Sequence, residues 1–101
     1  MAAPLRLVIV QHQADAPPGL LGDWAAAAGL RTEIVRPDRG DRLPDTAAAD
    51  LVALLGSDEA AVAGEREWIE REARWVRDHV RASTPVLGVC FGAQLLSVVL
   101  G

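Results

Sequence analysis

Apolar and polar positions along the chain alternate between two periods. Residues 5–10 form a β-branched-rich run, Leu5-Arg6-Leu7-Val8-Ile9-Val10, which predicts a first strand. Asp15-Ala16-Pro17-Pro18-Gly19 marks a loop, and residues 20–28 predict a helix with Leu20, Leu21, Trp24 and Ala28 on its core side, ended by Gly29. Residues 31–35 alternate as a short second strand, and residues 36–45 are polar, with two prolines and a glycine, as in a loop. A helical turn is expected at 47–49. Leu51-Val52-Ala53-Leu54-Leu55 then predicts a buried third strand, with a turn at Gly56-Ser57-Asp58. Over residues 65–82 the period becomes helical: Ile69, Ala73, Val76 and Val80 form a core-facing stripe, widened by Trp68 and Trp75. Glu67 with Arg71 and Glu70 with Arg74 are i,i+4 pairs on the solvated side, and Glu65 and Glu67 suit the positive end of the helix dipole. Ser83-Thr84-Pro85 ends that helix. Residues 86–89 predict a fourth strand, apolar on both faces, and a second apolar run after it predicts a last helix.

This order, β-α-β-β-α-β-α, predicts an α/β fold with a flavodoxin-like, doubly wound, mainly parallel open sheet of strand order 2-1-3-4. Functional groups in such sheets gather at the carboxyl ends of the strands. Three segments are expected to meet there: residues 11–19, residues 56–63 and the turn around Cys90.

Composition narrows the class. The chain has 101 residues, a net charge of −4 and half its residues apolar, as in one soluble domain. Eighteen of the residues are alanines, so the core is modest for the length. Mixed, mildly acidic charge gives no sign of nucleic-acid binding, and no apolar run is long enough to span a bilayer. The N-terminus lacks the basic region and cleavage site of a signal peptide. The single cysteine cannot form an internal disulfide, so a reducing cytoplasm is the expected setting. No metal-ligand spacing is present.

That cysteine carries the candidate chemistry. Gly88 and Gly92 stand two residues either side of Cys90, between an apolar strand and a helix, which is the spacing of a nucleophile elbow with cysteine in place of serine. The turn is too sharp for side chains at either flanking position. It aims the sulfur over the first turn of a helix, where unpaired N–H groups and the dipole favour a thiolate. The N–H of Phe91 then lies where an oxyanion would form.

Gly88-Val89-Cys90-Phe91-Gly92-Ala93-Gln94 resembles the G-x-C-x-G-x-Q signature of class I (triad) glutamine amidotransferases. Pro85-Val86-Leu87 before it and Leu95-Leu96 after it agree. Gln11-His12, Pro18-Gly19-Leu20 with Trp24, Leu55-Gly56-Ser57 and Trp68-Ile69-Glu70 resemble the branch containing the amidotransferase domain of GMP synthase. The resemblance implies that Cys90 attacks the side-chain amide of glutamine, releases ammonia through a thioester and passes it to a second substrate. It also implies that the backbone N–H groups of Gly56 and Phe91 form the oxyanion hole, that Gln94 helps hold glutamine, and that no cofactor is used. Where many relatives carry paired glycines after the third strand, this chain has Leu55-Gly56-Ser57.

The family's base, a histidine in a His-x-Glu arrangement, lies well downstream of the cysteine. The 101 residues correspond to the N-terminal part of one amidotransferase domain, expected to be inactive alone and to need a C-terminal half or a synthetase partner. Neither histidine replaces the base: His12 has no carboxylate two residues on, and His79 lies late in the long helix. An uncovered fourth strand is expected to invite self-association through the sheet edge. Two other readings share the fold: a peptidase or stress protein of the PfpI/DJ-1 group, against which Phe91 and Gln94 argue, and a binding module that keeps the elbow as scaffold.

Overall fold

The computed structural model describes residues 3–57 and 66–101. The turn expected at Asp58, the rest of the 56–63 segment and Glu65 fall outside the described residues. Four parallel strands, β1 (Arg6–Val10), β2 (Arg31–Val35), β3 (Leu51–Leu54) and β4 (Val86–Gly88), form one sheet in the order β2-β1-β3-β4. Helix α1 (Leu20–Ala27) connects β1 to β2, α2 (Glu67–Arg81) precedes β4, and α3 (Phe91–Leu100) follows it. Single 3₁₀ turns occupy Pro37–Arg39, inside the expected loop, and Thr46–Ala48. Among the described residues no helix is long and apolar enough to cross a membrane.

Strand parity splits the core into two layers. Val8, Val10, Val52 and Leu54 face α2 and α3, packing with Ile69, Ala73, Val76, Phe91 and Leu95. Leu7, Ile9, Ala53 and Leu55 face α1, packing with Ala25. The starts of β1 and β3 are tied together by Asp50, whose Oδ2 accepts from the Arg6 backbone N–H at 2.8 Å and from its Nε at 3.1 Å.

The two faces are covered unequally. Ala25 is the buried residue of α1, so the helix docks by a small side chain that lets it approach the sheet closely. Three core assignments are thereby corrected: Leu20 is 85% exposed, Trp24 is 57% exposed, and Ala28 is exposed as well. Trp24 and Leu21 instead line a groove of about 230 Å³ with Val86 and Leu87, over the half of the sheet that α1 does not reach. Leu87, expected to be buried in a strand with two covered faces, is 53% exposed. β4 pairs with β3 on one side and, among the described residues, with no strand on the other.

Both long connections into strands use the same C-cap. After α1, Leu30 N–H donates to the Ala25 carbonyl (2.9 Å) and Gly29 N–H to that of Ala26 (3.1 Å), with Gly29 at φ +75°. After α2, Thr84 N–H donates to the His79 carbonyl (2.9 Å) and Ser83 N–H to that of Val80 (3.1 Å). This is the Schellman arrangement, but at the second site a serine occupies the left-handed position, with φ +61°. Ser83→Gly should therefore stabilise the protein by about 0.5–1 kcal/mol, part of the relieved left-handed strain being offset by a more flexible unfolded chain. A higher thermal midpoint checks this.

Candidate active site

Cys90 caps α3 with φ +52° and ψ −113°, a backbone conformation that ordinary side chains avoid at a cost of about 1–3 kcal/mol. The surrounding hydrogen bonds hold it there. Val89 N–H donates to the Leu54 carbonyl at 2.9 Å, and Gly92 N–H is shared between the carbonyls of Val89 (2.9 Å) and Leu55 (3.2 Å). Gln94 N–H donates to the Cys90 carbonyl at 3.0 Å, closing the first helical turn. The bend is thus bolted to the carboxyl end of β3, and its thiol is exposed.

The flanking glycines permit the contact. A Cβ on Gly88 would stand 2.7 Å from the Gly92 carbonyl oxygen and 2.8 Å from the Ala93 backbone. A Cβ on Gly92 would overlap the Leu54 carbonyl. Gly56, leaving β3, passes directly beside Cys90: a Cβ on it would lie 3.6 Å from that of Cys90. Phe91 turns its ring into the core, while its N–H, at the first helical position, has no acceptor within the helix. Gln94 is exposed one turn further on. The structure therefore brings Cys90, Gly56, Gly88, Gly92 and the Phe91 backbone together and leaves Gln94 accessible nearby. Among the described residues no group of His, Cys, Asp and Glu could hold a metal ion.

Behind the elbow lies a feature not anticipated from the sequence. His12 Nε2 and Glu72 Oε2 are 2.7 Å apart, with both side chains fully buried. The His12 ring stacks on Trp68 (centroids 5.7 Å apart) and tilts against Phe91 (4.7 Å). Burial pushes the Glu72 carboxyl above the ordinary carboxylate range, outweighing the opposing pull of His12. Glu72 could have been found: it lies three residues after Ile69 and four before Val76, on the apolar stripe rather than the solvated face. A charged side chain on such a stripe needs a buried partner.

His79 has a structural role. Its Nδ1 is 3.0 Å from Thr84 Oγ1, and its ring stands edge-on to Trp75, whose Nε1–H donates to the Pro44 carbonyl at 2.7 Å. Burial lowers the His79 pKa from its ordinary value, so the folded state keeps the ring neutral where the unfolded chain protonates it. The unfolded state then binds more protons, and stability falls as pH drops through about 6.5. His79→Leu should flatten that part of the stability–pH curve in denaturant titrations. A cleft of about 360 Å³ lies apart from the elbow, between Pro37–Leu43 and the α2 side chains Arg71, Arg74, Trp75 and Asp78.

No family model matches the chain, and no curated protein matches it. Solved structures do. A glutamine amidotransferase from Thermotoga maritima superposes on 99% of this chain with a TM-score of 0.91 and 24% identity. A glutamine amidotransferase from Methylobacillus flagellatus covers 97% with a TM-score of 0.85 and 29% identity. The protein SMU.1228c covers 96% with a TM-score of 0.88 and 25% identity. The chain spans 44%, 39% and 44% of their respective lengths.

Proposed function

We propose that this chain, whose fold is that of the class I glutamine amidotransferases, carries the nucleophile half of a glutamine-hydrolysing site. The observation that carries the reading is the exposed Cys90 at φ +52° on the first turn of α3, with Gly56 alongside. The Cys90 thiolate attacks the side-chain amide carbon of glutamine. The carbonyl oxygen becomes an oxyanion that accepts hydrogen bonds from the Gly56 and Phe91 N–H groups, and Gln94 contacts the substrate. Collapse breaks the C–N bond, ammonia leaves with a proton from a general acid, and a γ-glutamyl thioester remains on Cys90. Water, deprotonated by the same group acting as base, adds to the thioester carbon and releases glutamate and the thiolate.

The acid–base residue comes from polypeptide outside these 101 residues. His12 cannot fill the role, because its ring is sealed beneath Phe91 and bonded to Glu72. The open edge of β4 and the groove between Trp24 and Leu87 are the surfaces on which a C-terminal half or a partner bringing the base would pack. Left uncovered, that edge is where copies of this chain would associate with one another. A free thiol at the reaction centre suits a reducing compartment such as the cytoplasm. Ammonia release from glutamine, measured on the protein in its native assembly, tests the reading. Wild type should release ammonia, and Cys90→Ser should lower the rate by several orders of magnitude. Equal release by both, or none by wild type, overturns it.

A further inference from the structure

Resting on that reading, we infer that the buried His12–Glu72 pair positions the elbow from behind, by holding the His12 ring against Phe91. The pair occupies a place that two apolar side chains could fill. Burying a hydrogen-bonded polar pair is often less stabilising than apolar residues of the same volume, so core stability alone does not account for it. Its placement supplies another reason. His12 lies just beyond β1, Glu72 is on α2 and Phe91 opens α3, so the pair links three elements at the point where the elbow is supported.

The hydrogen bond fixes the plane of the imidazole, which meets the Phe91 ring at 58° while lying at 27° to Trp68. Phe91 is also the residue whose N–H is assigned to the oxyanion. A ring locked on one side by Glu72 and on the other by two aromatics sets where the first turn of α3 sits. It thereby sets where that N–H points. His12 and Glu72 act through Phe91 and have no contact with substrate, so they are positioning residues.

The test uses the full chain and two electrophiles that report different things. A chloroketone analogue of glutamine reads a site shaped for the amide carbonyl, and iodoacetamide reads the accessibility and nucleophilicity of the thiol. His12→Gln keeps a donor for Glu72 but removes the ring. It should lower the chloroketone labelling rate of Cys90 roughly tenfold while leaving iodoacetamide within about twofold of wild type, as expected for misplacement without loss of the nucleophile. Glu72→Gln keeps an acceptor for the ring and should label nearly as wild type. The paired replacement H12L/E72L removes the ring without leaving a buried polar group unpartnered and should behave as His12→Gln does. A merely structural role would change the denaturation midpoint and leave the ratio of the two rates untouched. Wild-type ratios in folded His12→Gln or H12L/E72L overturn the inference alone. A wild-type protein that does not prefer the glutamine analogue overturns the amidotransferase reading, and this inference with it.

Discussion

Gly92→Ala should destabilise the protein by about 3 kcal/mol or more, because the new methyl group would occupy the space of the Leu54 carbonyl. The obstacle is backbone at the carboxyl end of β3, an inner strand of the sheet, which cannot rotate aside as a side chain can. Relief requires α3 to move off β3, which breaks the Gly92–Leu55 hydrogen bond (3.2 Å) and the Val89–Leu54 bond (2.9 Å) that hold the strained Cys90. The expected result is a lower urea midpoint together with a Cys90 that no longer discriminates among electrophiles. Gly56→Ala is the internal comparison. Its Cβ would make an ordinary 3.6 Å contact with Cys90, so stability should stay within about 0.5 kcal/mol of wild type. Equal stability of wild type and Gly92→Ala would mean that the elbow is not packed as described.

Removing one member of the buried pair should cost as much. His12→Leu leaves the Glu72 carboxyl without its hydrogen-bond partner in the core, and Glu72→Leu leaves the imidazole in the same state. Each should lose about 3–5 kcal/mol. H12L/E72L should lose far less, because no buried polar group is left without a partner. The signature is a strongly non-additive double-mutant cycle, read from denaturant midpoints. Single losses that merely sum to that of the double variant would contradict a buried bond between these residues.

The features legible in the sequence were those set by spacing. Gly88, Cys90 and Gly92 predict the bend because nothing larger than glycine fits either flanking position, and the strand order follows from short apolar runs separated by helical ones. What stayed hidden depended on how elements dock. Trp24 and Leu20 have the size of core residues, yet α1 seats itself by Ala25 and leaves them over the uncovered half of the sheet. Glu72 carries the charge of a surface residue, yet the rotation of α2 turns it inward. Its partner His12 is sixty positions earlier in the chain, a distance no helical or strand period spans. Cys90 has the positive φ of a sharp strand-to-helix bend, whereas the roles of Cys90, Gly56, Phe91 and Gln94 belong to the reaction proposed for it.

The most direct measurement is the rate at which the glutamine chloroketone modifies Cys90 in the full chain, with and without free glutamine, followed by intact-protein mass. If the proposed reaction is right, the exposed thiol at the head of α3 should react in one-to-one stoichiometry, faster than a simple thiol, and be slowed by glutamine but not by asparagine. Labelling no faster than that of a free cysteine, and indifferent to glutamine, would contradict the account at its root.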